Sequence, residues 1–162
     1  MNTYIKTLLV ALLFICQPAF SAPEQVYLFR HSEKQTGENP FLTAQGQARA
    51  KHLVSLVNTY PNITLFSSNY NRTLSTAAPL AAYYNIKVIT YDAADLMTLK
   101  KQLLAQNGVV VVIGHSNTTP QLASLLSNQA IESMDESQYG HYYLVSKLEN
   151  NSYEVKTLTM GF

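Results

Sequence analysis

The sequence predicts an α/β domain, a three-layer α/β/α sandwich with a mostly parallel central sheet and a C-terminal hairpin. Two observations lead to this fold class. Short runs of β-forming residues alternate with amphipathic stretches along the chain, an order typical of strands joined by helical crossovers. Residues 109–113 are continuously β-branched, as expected of a strand that helices cover on both faces.

The first half of the domain contains two strands and two helices. Residues 25–30 and 63–66 are short apolar runs that predict strands. Between them, the apolar residues of 43–58 cluster on one helical face. Residues 71–84 also carry apolar side chains at helical spacing, and we expect Pro79 to kink that helix.

A third strand and a third helix follow. Residues 87–90 form a short β-branched run, and residues 96–104 place leucines on one face of a predicted helix. Asp92 or Asp95 can cap this helix.

The chain then reaches its most apolar strand and closes with a hairpin. Residues 109–113 are the predicted central strand, and Thr119 with Pro120 resembles a helix cap followed by a first helical position. Two runs separated by a polar turn predict the hairpin, residues 142–148 and 153–159.

Composition agrees with one globular domain. Of 162 residues, 47% are hydrophobic and 13% are charged, which supports a core and disfavours a disordered chain. The formal net charge is +1, so the chain lacks the global basic field that a nucleic-acid partner requires. A single cysteine excludes an intramolecular disulfide framework and a cysteine-rich zinc module.

Residues 1–21 are predicted to be a signal peptide, and residues 22–162 the folded domain. Lys6 is the only charged residue of the first segment. The apolar run 7–16 that follows is shorter than the ~20 residues of a membrane-spanning helix. We therefore expect export, to the periplasm, without stable membrane insertion.

The predicted cleavage point follows Ser21. Ala19 and Ser21 place small residues at the −3 and −1 positions of that point. One alternative is an uncleaved anchor helix. Another is a lipoprotein modified at Cys16, which the large Ile15 disfavours.

Basic side chains gather where the predicted parallel strands end. Arg30 and His31 follow the first strand, Arg72 comes shortly after the second, and His115 follows the central strand. Residues 22–162 contain three arginines and four histidines, and two of each fall here. Because ligands bind beyond the carboxyl ends of such strands, we expect these four side chains to converge.

This set of side chains suits a phosphoryl group. Two guanidiniums can clamp a tetrahedral oxyanion. One neutral histidine can attack phosphorus, while a second, protonated, stabilises the developing charge. The helix near Thr119 offers free N–H groups, and Ser116 and Asn117 are further candidate phosphate ligands. Because protein groups supply the positive charge, we expect neither a metal nor another cofactor.

Four motifs occur in a recognisable order along residues 26–148: Arg30-His31, Leu42-Thr43-x-x-Gly46, Ser67-Ser68…Arg72-Thr73-x-x-Thr76-Ala77 and Gly114-His115. Together they resemble the histidine phosphatase superfamily, which is phosphoglycerate-mutase-like, and Ser-Asn after His115 resembles its mutase-type branch. The resemblance implies that His31 is the nucleophile that becomes phosphohistidine. It also implies that Arg30, Arg72 and His115 complete the phosphate pocket, and that a phosphomonoester or phosphoramidate is hydrolysed without a metal.

The proton donor is the main departure from the family pattern. The family's usual Arg-His-Gly reads Arg-His-Ser here. Mutase-type members also carry a glutamate as general acid in the segment after the third strand, and no glutamate occurs between residues 87 and 108 of this chain. Asp92 and Asp95 are the carboxylates of that segment, with helix capping as their alternative role. Glu33 is a third candidate acid, or else an exposed partner of Lys34.

The predicted pocket is open. Residues 35–40 form the only sizeable loop that we expect at the active edge, so a phosphorylated small molecule or macromolecule can enter. Arg49 is expected on a solvated helix face. Two other interpretations stay open: a non-catalytic phosphate- or phosphosugar-binding module, and a metal protein using His31, His115 and Glu33, which the nearby arginines disfavour.

Overall fold

A computed structural model describes residues 22–162, so the predicted signal peptide lies outside the described residues. Within them the chain forms six strands and four helices, in the predicted order. The elements are β1 (Gln25–Arg30), α1 (Ala44–Val57), β2 (Ile63–Ser68), α2 (Asn71–Tyr84), β3 (Ile89–Tyr91), α3 (Leu96–Leu104), β4 (Val109–Gly114), α4 (Thr118–Ser127), β5 (His141–Lys147) and β6 (Tyr153–Thr159).

The strands form one mixed sheet in the order β3-β2-β4-β1-β5-β6. β1, β2, β3 and β4 are parallel, whereas β5 and β6 form an antiparallel hairpin against β1. The predicted α/β class and C-terminal hairpin are therefore confirmed. In the register of the two central strands, Arg30 lies opposite Gly114, which sets the ends of β1 and β4 side by side.

Alternate residues of the central strands fill two separate cores. Val110 and Val112 pack with leucines of α3 and α4, whereas Val109, Val111 and Ile113 pack with α1 and α2. All five side chains are buried. This alternation follows from the period of two in a strand, and it explains why β4 is apolar on both faces.

The helix ends show how side chains set the loops of the active edge. The N-terminus of α1 is capped by Thr43, whose Oγ1 accepts from Gly46 N at 3.1 Å. α4 begins at Thr118 with Asn117 as its cap residue, two residues earlier than the predicted Thr119 cap, because Thr119 N already donates to His115 O at 3.0 Å. Pro120 is then the third helical residue, where an N–H has no intrahelical acceptor.

Among residues 22–162, none of the helices is both long and apolar enough to cross a membrane.

Candidate active site

The ends of β1 and β4 bring the four predicted basic side chains together. His31 N donates to Gly114 O at 2.9 Å, and the ring centroids of His31 and His115 lie 5.7 Å apart. Arg72, in the first turn of α2, places Nη2 3.3 Å from His115 Nδ1. With Arg30, these side chains line a cavity of about 400 Å³.

The rest of the cavity wall comes from strand-end and loop residues. Ser116 and Asn117, the predicted phosphate ligands, lie on it. Its other lining residues are Lys34, Tyr70, Ala93, Ala94, Thr118 and Glu136.

His31 is oriented as a nucleophile. Its Nδ1 lies 2.8 Å from the carbonyl oxygen of Ser32. Because a carbonyl only accepts, Nδ1 carries the proton and Nε2 keeps its lone pair. Burial lowers the pKa of His31 to about 3, with the charges of Arg30 and Arg72 adding to the effect, so the ring is neutral at physiological pH. Ser32 N donates to Thr76 Oγ1 at 3.0 Å, which fixes the residue after the nucleophile.

His115 is held by a chain of hydroxyl groups. Its Nε2 lies 2.9 Å from Ser68 Oγ, and the Ser68 hydroxyl donates to Thr73 Oγ1 at 3.0 Å. Ser68 therefore accepts from His115 Nε2–H, and the Nδ1 lone pair faces Arg72. Burial lowers the pKa of His115 to about 4, with Arg72 and Arg30 as further causes. In the free site His115 is thus neutral, unlike the protonated form that the sequence suggested.

Both arginines have a buried Nε without a hydrogen-bond partner among residues 22–162. Arg30 is 3% exposed, and its Nη1 donates to the carbonyl oxygens of Asp135 at 3.2 Å and Glu136 at 2.7 Å. The Tyr139 ring centre lies 4.1 Å from its guanidinium carbon. Within the described residues, the buried Nε atoms of Arg30 and Arg72 make no hydrogen bond. Because buried donors are normally satisfied, these unsatisfied guanidinium donors distinguish the two arginines that line the cavity.

Glu33, one of the predicted acids, is engaged outside the cavity. Its Oε1 and Oε2 accept from Arg49 Nε at 2.9 and 3.0 Å, and Oε1 also accepts from Arg49 Nη2 at 2.7 Å. Arg49 is buried, with its guanidinium carbon 4.6 Å from the ring centre of Phe162. The predicted solvated position of Arg49 is therefore wrong, because this carboxylate and the C-terminal ring cover it.

The carboxylates of the other two predicted acids accept hydrogen bonds from nearby backbone N–H groups. Asp92 Oδ1 accepts from Ala94 N at 2.9 Å. Asp95 caps α3 by accepting from Thr98 N at 2.9 Å, and its hydrogen bonds to Thr98 hold the pKa of its carboxyl below the usual value. It is Ala93 and Ala94 that line the cavity here, so this segment presents methyl groups to the site.

Sequence reasoning missed a second wall of the cavity. The connection from α4 to β5, residues 128–140, brings Glu136 to the cavity and places Tyr139 over Arg30. The prediction that residues 35–40 form the only sizeable loop at this edge is therefore wrong. The predicted hairpin could have indicated this wall. A strand antiparallel to β1 begins at the sheet edge where β1 ends, so the connection that precedes it must reach the active edge.

The described residues contain no group of three His, Cys, Asp or Glu side chains placed to share a metal ion. Of the set considered for a metal protein, His31 and His115 are neighbours, whereas Glu33 is bound to Arg49.

Comparison with known proteins places this geometry among related folds. A family model described as the histidine phosphatase superfamily (branch 1) matches residues 26–99, which include His31 and Arg72. No curated protein sequence matches the chain.

Solved structures share the fold at low sequence identity. The protein histidine phosphatase SixA, complexed with tungstate, is 15% identical with a TM-score of 0.67, covering 83% of this chain and 96% of its own. The mycobacterial glucosyl-3-phosphoglycerate phosphatase Rv2419c, with inorganic phosphate, is 12% identical with a TM-score of 0.67, covering 86% and 97%. The product of open reading frame Rv3214 of Mycobacterium tuberculosis is 13% identical with a TM-score of 0.61, covering 85% and 97%.

Proposed function

We propose that the chain, whose residues 26–99 match the histidine phosphatase superfamily model, is a member of that superfamily and a metal-independent phosphatase acting through a phosphohistidine on His31. The observation that carries this proposal is the state of His31. Its Nδ1–H is held by Ser32 O, and its free Nε2 shares a cavity with two guanidiniums. A neutral imidazole beside an anion clamp is the arrangement that attack on phosphorus requires.

In the first step, His31 Nε2 attacks the phosphorus atom. The P–N bond forms as the bond from phosphorus to the leaving group breaks, and the electron pair departs with the leaving atom. Arg30 and Arg72, which line the cavity, offer guanidinium N–H donors to the phosphoryl oxygens and stabilise charge that develops there.

In the second step, water attacks the phosphohistidine. The P–N bond breaks, its electron pair returns to His31 Nε2, and inorganic phosphate leaves. A bound phosphate dianion raises the pKa of His115, because an opposite charge favours the protonated ring. His115 can then donate from Nδ1, whose lone pair faces Arg72 in the free site.

The shape of the site and the similar folds support a proposal for the substrate class. The cavity is bordered by the exposed side chains of Tyr70, Asn117 and Glu136, so a phosphorylated small molecule or macromolecule can reach His31. The similar structures include a protein histidine phosphatase and a phosphatase of a phosphorylated sugar acid. We propose a phosphomonoester or a phosphoramidate as the substrate.

The test is hydrolysis of 4-nitrophenyl phosphate by the full chain in the presence of EDTA. We expect turnover, and a rapid-quench sample should carry phosphohistidine on His31. The His31→Asn variant should lose both, whereas His52→Asn, on α1 outside the cavity, should keep both. Absence of turnover and of phosphohistidine in the wild-type chain would refute the proposal.

A non-catalytic phosphate-binding module is the second candidate. It is favoured by one observation, that all three predicted acids are engaged elsewhere. A binder of this kind retains phosphate in the clamp but forms no phosphohistidine, even from an activated donor such as phosphoramidate. The same rapid-quench measurement separates the two candidates.

Export to the periplasm is proposed from residues 1–21 alone. N-terminal sequencing of the protein recovered from a Gram-negative host tests it, and Ala22 is the expected first residue. An intact residue 1 on membrane-bound protein would favour the anchor helix instead.

A further inference from the structure

The cavity holds one carboxylate that the sequence did not suggest. Among residues 22–162, Glu136 is the only acidic residue that lines it together with Arg30, His31, Arg72 and His115. Building on the phosphatase function proposed above, we propose that Glu136 is its acid–base residue. It protonates the leaving group and then deprotonates the attacking water.

The main chain around Glu136 is fixed to the phosphate clamp. Its own carbonyl oxygen and that of Asp135 both accept from Arg30 Nη1. Three residues further on, Tyr139 packs over the same guanidinium and lies 6.1 Å from the His31 ring centroid. Because both contacts are to groups beside the nucleophile, they set the position of Glu136 relative to His31.

The side chain of Glu136 lies at the mouth of the cavity. Its Oε1 accepts from Ser116 Oγ at 2.9 Å, and its Oε2 lies 4.0 Å from Arg30 Nη2. The side chain is 84% exposed, which leaves it free to follow leaving groups of different size. Glu136 thus contacts the phosphate clamp on one side and solvent, where a leaving group departs, on the other.

One proton on the Glu136 carboxyl serves both steps. The leaving-group oxygen takes this proton as its bond to phosphorus breaks. The resulting carboxylate then takes a proton from water as water attacks the phosphohistidine, so the acid is restored.

The competing candidates lack this access. Asp92 and Asp95 hold backbone N–H groups of their own loop and helix, and Glu33 is held by Arg49 through both oxygens. The segment where the mutase-type branch carries its glutamate presents Ala93 and Ala94. The loop before β5 therefore supplies the acid in place of the segment after β3.

The test compares aryl phosphates whose leaving groups differ in their need for a proton. With Glu136→Gln we expect kcat/KM for phenyl phosphate to fall about 100-fold, the lower range for acid–base catalysis. For 2,4-dinitrophenyl phosphate, whose phenolate leaves unprotonated, kcat/KM should stay within about threefold. Because the variant still lacks the base for the second step, phosphohistidine should accumulate as a burst with the dinitrophenyl ester.

The control variant is Glu132→Gln, an exposed residue of the same loop that does not line this cavity. It should behave as wild type with both esters. An equal loss with both esters in Glu136→Gln, or no loss with phenyl phosphate, would overturn the assignment while leaving the phosphatase function intact. A wild-type chain that hydrolyses neither ester would instead refute the phosphatase function itself, and the role of Glu136 with it.

Discussion

The two walls of the cavity are built in opposite ways. The strand-end wall carries Arg30, His31 and His115, which are 3%, 3% and 8% exposed. Arg30 donates to a carbonyl oxygen of the loop, His31 donates to Ser32 O, and His115 pairs with Ser68 at the end of β2. The loop wall carries Glu136, whose side chain is 84% exposed and has one hydroxyl partner. In the mechanism we propose, the strand-end wall binds the phosphoryl group, which is common to every substrate. The loop wall serves the leaving group, which varies.

Removing one of the two arginines of the phosphate clamp should lower kcat/KM for every substrate alike. For Arg72→Ala we expect kcat/KM to fall about 10²–10³-fold, the usual loss of one preorganised donor at a developing oxyanion. The loss should be equal for phenyl and 2,4-dinitrophenyl phosphate, in contrast to Glu136→Gln. Lys51→Ala, which removes a charge from the exposed face of α1, is the control. A loss confined to the phenyl ester would mean that Arg72, like Glu136, acts on the leaving group, which would contradict the division between the two walls.

Acid should destabilise the strand-end wall because it contains two buried neutral histidines. Unfolded histidine titrates near pH 6.5, whereas burial lowers the pKa of His31 to about 3 and of His115 to about 4. Between pH 6.5 and 4 the unfolded chain binds protons that the native state does not. Stability therefore rises with pH through this window, by up to ~1.4 kcal/mol per pH unit for each histidine.

Urea unfolding at a series of pH values checks this dependence. The slope of unfolding free energy against pH should become shallower in His115→Asn and shallower again when His31→Asn is added. An unchanged slope in the double variant would mean that other groups dominate acid unfolding.

Gly46→Ala should displace the loop that follows the nucleophile. A methyl group at this position lies 2.1 Å from the carbonyl oxygen of Glu33, closer than any real contact. We expect the unfolding free energy to fall by about 1–3 kcal/mol, the range for overpacking, and kcat/KM to fall because His31 moves with the loop. Gly161→Ala, where an added methyl group meets nothing within 4 Å, should be nearly neutral. Equal stability of the two variants would contradict this packing.

Tyr139→Leu gives the smallest expected effect and tests how far the loop wall supports the clamp. The tyrosine ring covers the Arg30 guanidinium at 4.1 Å, a contact worth ~0.5–2 kcal/mol. We expect phosphate to bind about two- to tenfold more weakly, as measured by calorimetry. Tyr83→Leu, an exposed tyrosine on α2, should bind phosphate as wild type. Unchanged affinity in Tyr139→Leu would mean that phosphate binding does not depend on the tyrosine that the loop wall places over Arg30.

The fold was predictable because its information is local. The β-branched run of β4, the helical spacing of α1 and the strand-end histidines all lie within short segments, and parallel topology alone brings the four basic residues to one edge. The helix ends were less predictable. The cap of α4 is Asn117, two residues before the predicted Thr119, because the backbone bond from Thr119 N to His115 O already forms at the end of β4.

The carboxylates could not be sorted from sequence for a related reason. Glu33, Asp92 and Asp95 lie close in sequence to residues that line the cavity. Their carboxylates nevertheless accept hydrogen bonds from an arginine or a backbone N–H outside it. Glu136 is more than 100 residues from His31 along the chain. Its approach depends on the hydrogen bonds of Arg30 to the loop.

The reversed direction of β5 has a consequence for how such a domain can diversify. The last hairpin runs antiparallel to β1, so the chain must return to the active edge between α4 and β5. Residues 128–140 connect α4 to β5, and they lie outside the paired residues of β1 and β5. On the function proposed above, exchanging this one segment is expected to change substrate preferences. Transplanting loops between relatives at these two boundaries is the natural route to engineering them.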